Sequence, residues 1–304
     1  MAQSKATTGG LWSSSPSGSR TGRVVRRTIR PTTARSARTP TDTRSTLPQL
    51  KAFLLHLASE RGLADNSLHA YRRDLEDIER FLRGVGKTLV TAALLRLLRE
   101  RGLRVRGLKP VASGAAPTPG GLRNDDALLL QAESSPPVDY DTVNPYCFAP
   151  ACAPHLAAAE QNTELTVAAL TAWYRRASVQ CDAVLVEGAG GWRVPLHPTG
   201  FLSDLPETLE LPVLLVVGLR LGCLNHARLT YEAIVTSGRC RFAGWVGNAV
   251  DAGFEHGAAN VDTLARLLGA APLALIPRLP DASVTAAVQA IESSTLLRQL
   301  LARG

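Results

Sequence analysis

The sequence predicts an α/β protein with a mostly parallel sheet covered by helices, preceded by a helical hairpin and a disordered tail. Three observations carry this. From residue 84 onward, short apolar runs alternate with segments of helical spacing. The apolar fraction of the 304-residue chain, 45%, is ample for a buried core. The charge is segregated: residues 1–46 hold Lys5 and eight arginines against Asp42 alone, 9 − 1 = +8, which equals the net charge of the whole chain.

Residues 1–46 are rich in Ser, Thr, Arg, Gly and Pro. Such a segment cannot bury enough apolar surface to offset its ordering entropy, so it reads as a disordered basic tail. A transit peptide and a nucleic-acid arm share this composition. The remaining residues sum to zero charge, which gives the globular part no nucleic-acid signature. There is no apolar run of about 18 residues and no hydrophobic leader, which predicts a cytoplasmic protein without a membrane span. Cys147, Cys152, Cys181, Cys223 and Cys240 lack metal-knuckle spacing and read as reduced, small apolar residues.

Residues 47–62 place Leu50, Phe53, Leu54 and Leu57 at helical spacing, with Gly62 suited to end the helix. Asp65 or Asn66 can cap a second helix with Leu68, Tyr71, Leu75, Ile78 and Leu82 on one face. A third helix, "KTLVTAALLRLLRERG", puts Leu89, Ala92, Leu95 and Leu98 on its buried side. Strands follow at "RVRGLKPV", ending near Lys109, and at "DAVLVEGAGG", "PVLLVVGL", "RFAGWVGNAV" and "APLALIPRLP". Helices lie between and after them over residues 163–177, 225–237, 258–268 and 283–302. On such a sheet, ligands bind beyond the carboxyl ends of the strands.

The chemistry sits at those ends. "GVGKT", Gly84–Thr88, is the second half of a phosphate loop. The full pattern needs a glycine at 81, where this chain has Phe81. The retained half still matters: Gly86 admits an anion to the backbone N–H groups of a helix start, Lys87 adds a charge, and Thr88 offers a hydroxyl to Mg²⁺. In "GLKPVASG", Lys109 ends a strand and Ser113 follows on the loop. In "NDDALLLQ", Asp126 lies at a helix start, where capping is the simplest role. In "VLVEGAGG", Glu187 terminates an apolar strand and Gly188, Gly190 and Gly191 let a ligand approach, with Gly188, Ala189 and Gly190 the cofactor-binding candidates. Thr88, Asp126 and Glu187 make a plausible oxygen set for Mg²⁺ on ATP. Lys87, Lys109 and Glu187 are expected to meet in one cavity. His155 and His226 read as packing or hydrogen-bonding residues.

Two resemblances follow. "FLLHLASERGLADNSLHAYRRDLEDIERFL" resembles the start of the core-binding domain of Xer-type tyrosine recombinases over residues 47–83. It implies DNA-backbone contacts from Tyr71, Arg72 and Arg73; a solvated helix face is the plainer reading. No recombinase catalytic domain follows, which excludes strand exchange. From residue 84 to about 300, "GVGKTLVTAALLRLL", "GLKPVASG", "NDDALLLQ", "VNPYCFAPACAPHLAAA", "VLVEGAGGWRVPL", "LPVLLVVGLRLGCLNHARLT" and "GWVGN" together resemble dethiobiotin synthetase. That likeness implies a P-loop NTPase-type domain over 84–304, a homodimer, and conversion of 7,8-diaminononanoate, CO₂ and ATP to dethiobiotin, ADP and phosphate. It implies that Lys87 and Lys109 stabilise the carbamate and the migrating phosphoryl group, and that Ser113 positions substrate. It implies that Asn248 reads adenine, with Pro277, Arg278 and Leu279 lining the base pocket. It also implies that Gly222, Cys223, Leu224 and Asn225 receive the substrate carboxylate across the dimer interface.

The chain departs from that pattern at its start. The family opens with an apolar strand and a complete loop, and this chain has a charged helical segment there. The expected consequences are two strands left without a neighbour and impaired activity. A second reading makes residues 1–83 a DNA-binding fragment carrying an inactive enzyme remnant. A third, another phosphate-loop enzyme such as a cobyrinate amidase relative or a partitioning ATPase, is disfavoured by "GLKPVASG" together with "EGAGGW".

Overall fold

The computed structural model describes residues 86–251, 253–279 and 283–301. The basic tail, the hairpin over 47–83 with Tyr71, Arg72 and Arg73, and Gly84 and Val85 lie outside the described residues.

Helix α1, Lys87–Glu100, opens the described chain. Its buried side is wider than the four-residue stripe read from the sequence. Val90, Ala93, Leu94 and Leu97 are buried with Ala92, Leu95 and Leu98, while Leu89 is only partly so. A helix apolar almost all round belongs in the centre of a fold rather than on its surface.

The first predicted strand ends one residue before Lys109. β1 is Val105–Leu108, and β2, Val111–Ser113, pairs elsewhere, with β5, Tyr146–Phe148. Pro110 has no N–H to continue the ladder, and the Lys109 N–H donates to Val143 instead. Two short antiparallel hairpins were not foreseen: β3 (Ala116–Thr118) with β4 (Gly121–Arg123), and β7 (Pro195–His197) with β8 (Gly200–Phe201). Between these lie α2 (Asp125–Glu133), α3 (Tyr140–Val143), α4 (Pro154–Glu160), α5 (Val167–Ala177) and β6 (Ala183–Val186). α5 begins later than the spacing implied, because Thr166 caps it by accepting from the Ala169 N–H.

The second half runs α6 (Asp204–Thr208), β9 (Val213–Gly218), α7 (Cys223–Thr236), β10 (Phe242–Asn248), α8 (Gly257–Leu268), β11 (Ala274–Ile276), α9 (Val284–Glu292) and α10 (Thr295–Leu301). The predicted helix over 283–302 is therefore two. The Leu296 N–H donates to the Leu273 carbonyl, which pins the second helix to the strand edge and bends the chain at Ser293 and Ser294.

Among the described residues the long strands form two parallel sheets rather than one. β1 pairs with β6, and β9, β10 and β11 pair in the order β11-β10-β9. Both contribute to one core: Leu185 of β6 and Leu214 and Val216 of β9 pack against the cluster that holds Val90, Leu94 and Leu97 of α1. On the opposite side the core is divided. Val184 and Val186 join a cluster around Leu108, Phe148 and Trp173, whereas Leu215 joins another around Val217, Trp245 and Leu264.

Candidate active site

Lys109 is the centre of the site. It follows β1 and is only 4% exposed. Its Nζ donates to Asp126 Oδ2 at 2.9 Å and to Glu187 Oε1 at 2.9 Å. Each sequence segment delivers one group. β1 brings Lys109 to its carboxyl end, β6 brings Glu187, and α2 brings Asp126 in its first turn. Asn124 is the cap of α2, accepting from the Ala127 N–H at 3.3 Å. Capping therefore falls to Asn124, and the neighbouring Asp126 turns to the lysine.

α1 completes the cluster. Thr88 donates its hydroxyl to Glu187 Oε1 at 2.8 Å, and Lys87 Nζ donates to the Gly190 carbonyl at 3.2 Å. Gly86 adopts φ 81° and lies against the Asn248 side chain, where any Cβ would collide with the amide. Lys87, Thr88, Lys109, Asp126, Glu187 and Gly190 thus converge, and Asn248 at the end of β10 adjoins them through Gly86. Replacing Gly86 with alanine is expected to weaken nucleotide binding by about tenfold or more, from left-handed strain plus that collision; titration with a fluorescent ATP analogue checks it.

Burial and charge oppose each other here. Desolvation pulls the Lys109 pKa down, but Glu187 and Asp126 pull it up further, and the net shift is upward. Burial raises the Asp126 carboxyl, yet the Lys109 charge and hydrogen bond take it below the ordinary value. Lys87 goes the other way. Burial lowers its pKa, Lys109 adds repulsion, and Glu187 only partly compensates.

Glu187 Oε2 and Ser113 Oγ are among the buried side-chain oxygens without a hydrogen-bond partner. Unpaired buried acceptors and hydroxyls are costly and point to ligand contacts. With Glu187 Oε2 open and Thr88 and Asp126 beside it, the oxygens fit a hard divalent cation that takes its other ligands from phosphate and water. Among the described residues, no group of three or more His, Cys, Asp or Glu gathers as a metal site, so the only protein oxygens here are the two carboxylates and the Thr88 hydroxyl.

Sequence reasoning missed the support beneath Lys109. Asn144, 2% exposed, donates through Nδ2 to the Lys109 carbonyl at 2.7 Å and to the Tyr146 carbonyl at 3.1 Å. The Tyr140 hydroxyl donates to Asn144 Oδ1 at 3.0 Å and accepts from the Asn124 N–H at 2.8 Å. The signal was present in "VNPYCF": an Asn before Pro in an apolar context needs a reason to be there. Asn144→Ala is expected to cost about 2 kcal/mol of stability by orphaning buried partners, measured by urea unfolding.

The remaining expected residues lie on loops and helix starts that follow the strands. Gly222 caps α7 with φ 88°, Cys223 is buried, Leu224 is partly buried and Asn225 is exposed. Pro277 and Arg278 are exposed after β11, and Leu279 packs against the α1 core. Gly188 and Ala189 lie between Glu187 and Gly190, with Ala189 against the second core cluster. An open cavity of about 750 Å³, lined by Arg123, Asp139, Tyr140, Trp173 and Arg176, shares no residue with the lysine–carboxylate cluster. All five cysteines are free. Among the described residues, no helix is long and apolar enough to cross a membrane.

Residues 82–286 match the family model described as an AAA domain, and residues 50–101 match the phage integrase N-terminal SAM-like domain. The two matches overlap on α1, which the structure assigns to the α/β core. The chain is 49% identical over 212 residues to the ATP-dependent dethiobiotin synthetase of Cellvibrio japonicus, spanning 70% of this chain and 92% of that protein. It is 52% identical over 215 residues to the enzyme of the same description from Chromohalobacter salexigens, covering 66% and 90%. Among solved structures, the MinC:MinD cell division complex of Aquifex aeolicus aligns over 73% of this chain and 93% of its own with a TM-score of 0.47 and 16% identity.

Proposed function

This chain belongs to the dethiobiotin synthetase family, a family of ATP-dependent biotin-biosynthesis ligases with the P-loop NTPase fold, and from that premise we propose that its own cluster catalyses ureido-ring closure on 7,8-diaminononanoate. The observation that carries the reading is Lys109, buried between Asp126 and Glu187 and next to Lys87 and Thr88.

In the proposed reaction, one amine of 7,8-diaminononanoate attacks CO₂, forming a C–N bond and releasing a proton. A carbamate oxygen then attacks the γ-phosphorus of ATP, and the bond from that phosphorus to the ADP oxygen breaks. The second amine attacks the carbamoyl carbon, expels phosphate and loses a proton, which closes the ring. Every intermediate concentrates negative charge, so fixed cations in a partly dry cleft are the main requirement. Lys109 and Lys87 meet it: their ammonium groups are held by neighbours and need no reorganisation as charge develops. Ser113, with its unpaired hydroxyl, orients substrate. The N–H groups at the start of α1 receive phosphate oxygens.

Thr88, Asp126 and Glu187 would hold Mg²⁺, which when bound supplies charge neutralisation on the phosphates. Asn248 would read adenine, with Pro277, Arg278 and Leu279 beyond β11. Gly222 to Asn225 would take the substrate carboxylate in a cytoplasmic homodimer. Leu221 supports an interface there, being 92% exposed beside that helix start. The proposed organisation is a basic tail over 1–46, a recombinase-like hairpin over 47–83 and the P-loop domain over 84–304.

Detection of labelled dethiobiotin by mass spectrometry, from diaminononanoate, ¹³C-bicarbonate and Mg-ATP, tests the reading. ATP binding with no labelled product at any enzyme concentration would overturn it. The depressed Lys87 pKa adds a pH prediction. As pH rises, Lys87 loses its proton before Lys109 does, so nucleotide affinity falls on an alkaline limb set by Lys87. Lys87→Arg, which stays charged, is expected to move that limb upward; affinity measured across pH checks it.

The integrase-type match over residues 50–101 favours a second, separate activity: duplex DNA contact by residues 1–83. Gel shifts of the full chain that weaken steeply with salt would support it.

A further inference from the structure

We propose, resting on the reaction assigned above, that Tyr140 is a positioning residue for it: the phenol hydroxyl sets Lys109 against Asp126 and Ser113 without touching substrate.

Lys109 is held through its backbone as well as its side chain. Its N–H donates to the Val143 carbonyl at 2.8 Å, and its carbonyl accepts from Asn144 Nδ2 at 2.7 Å. Both partners belong to the end of the one-turn helix α3 and the residue that follows it. The Asn144 N–H in turn donates to the Tyr140 carbonyl at 2.8 Å, which ties that end to the start of the same turn. Lys109 therefore sits where α3 puts it.

The Tyr140 hydroxyl joins this turn to α2. It accepts from the Asn124 N–H at 2.8 Å. Asn124 caps the helix whose first turn carries Asp126, and its Nδ2 donates to the Ser113 carbonyl at 3.5 Å. One oxygen thus lies between the segments that deliver the ammonium group, the carboxylate and the substrate-orienting hydroxyl.

The protons fix the direction of each bond. Asn144 uses Nδ2 on two carbonyls, so its Oδ1 faces the phenol as an acceptor and Tyr140 donates to it. That uses the only phenol proton. Cys147 Sγ, 3.3 Å from the same oxygen, is then the donor in the remaining contact. Burial first, then the Cys147 contact, push the phenol pKa upward, so Tyr140 keeps its proton at neutral pH. The residue is 6% exposed and belongs to the core cluster that holds α1, with the Arg123 guanidinium 4.2 Å from its ring centroid. A phenylalanine ring would fill that place; the hydroxyl serves the network.

Tyr140→Phe in the full chain is the test, with two measurements on the folded fraction. With enzyme in excess and saturating Mg-ATP, the single-turnover rate is expected to fall about 10- to 100-fold, as when reacting groups are misplaced by about an ångström. ATP affinity, assigned to Gly86, Lys87, Thr88 and Asn248, should stay within about twofold. The second measurement is reductive methylation of the four lysines, Lys5, Lys51, Lys87 and Lys109, followed by mass spectrometry. Lys109 should be modified at least about tenfold faster in the variant, with Lys87 unchanged. This arm needs no turnover. If the unaltered chain makes no dethiobiotin, the reaction fails and the labelling still decides the positioning. Unchanged Lys109 labelling would refute the proposal. So would a rate loss matched by an equal loss of ATP affinity. Equal acceleration at Lys87 and Lys109, or lower stability with an unchanged rate per folded molecule, would reduce Tyr140 to a structural residue and refute it too.

Discussion

Phosphate release by the purified full chain, dependent on 7,8-diaminononanoate and bicarbonate, is expected to run at least about 100-fold below that of the Cellvibrio japonicus relative under the same conditions, the size of effect seen when one preorganised anion-stabilising element is lost. The reason lies upstream of Lys87. The phosphate-loop pattern calls for glycine at position 81, and the chain has phenylalanine. Downstream, the sheet that should anchor the loop is divided, with β6 and β9 each lacking a second neighbour among the described residues. The loop's second half remains: Gly86, Lys87 and Thr88 still reach Asn248, Gly190 and Glu187. Binding of nucleotide should therefore outlast turnover. A coupled phosphate assay beside a nucleotide titration separates the two, and a rate matching the relative would show that the retained half suffices.

Lys109→Met should lower the single-turnover rate of the chain by a further factor of about 10²–10³, the usual loss when one preorganised charge is removed from a dry site. Methionine keeps most of the volume and removes the charge. Asp126 and Glu187 then face each other without their common cation, so the Asp126 carboxyl should lose its depressed pKa and rise. The measurement is a chemical-quench time course with enzyme in excess, together with the pH dependence of ATP affinity. A merely structural lysine would lower stability and leave the rate of the folded fraction unchanged.

How the site could be read from sequence differs residue by residue. Lys87 and Thr88 announce themselves by the Gly-Lys-Thr triplet. Glu187 does so by ending an apolar strand before glycines, and Lys109 by its place after β1. Asp126 was legible as an acid at a helix start, but whether it capped the helix or faced the site was not. The answer depended on Asn124 taking the cap. Asn144 and Tyr140 were missed because their work is done through the backbone of Lys109, a contact between residues 35 apart for Asn144. The hairpins at 116–123 and 195–201 were missed because strands of two or three residues leave too little periodicity to detect. The breadth of α1's buried surface also escaped, since a stripe count shows which residues can face a core and not how many sides the core has.

The amino-acid sequence by itself determined the alternation of strands and helices, the ends at which chemistry sits and the residue types gathered there. Those properties are local: spacing along the chain, glycine at a turn, charge after an apolar run. Only the tertiary structure decided that Lys109 is shared by two carboxylates, that Asn144 holds its backbone, and that, among the described residues, β6 pairs with β1 alone and β9 with β10 alone. These depend on distances between segments far apart in the chain, and packing alone sets them.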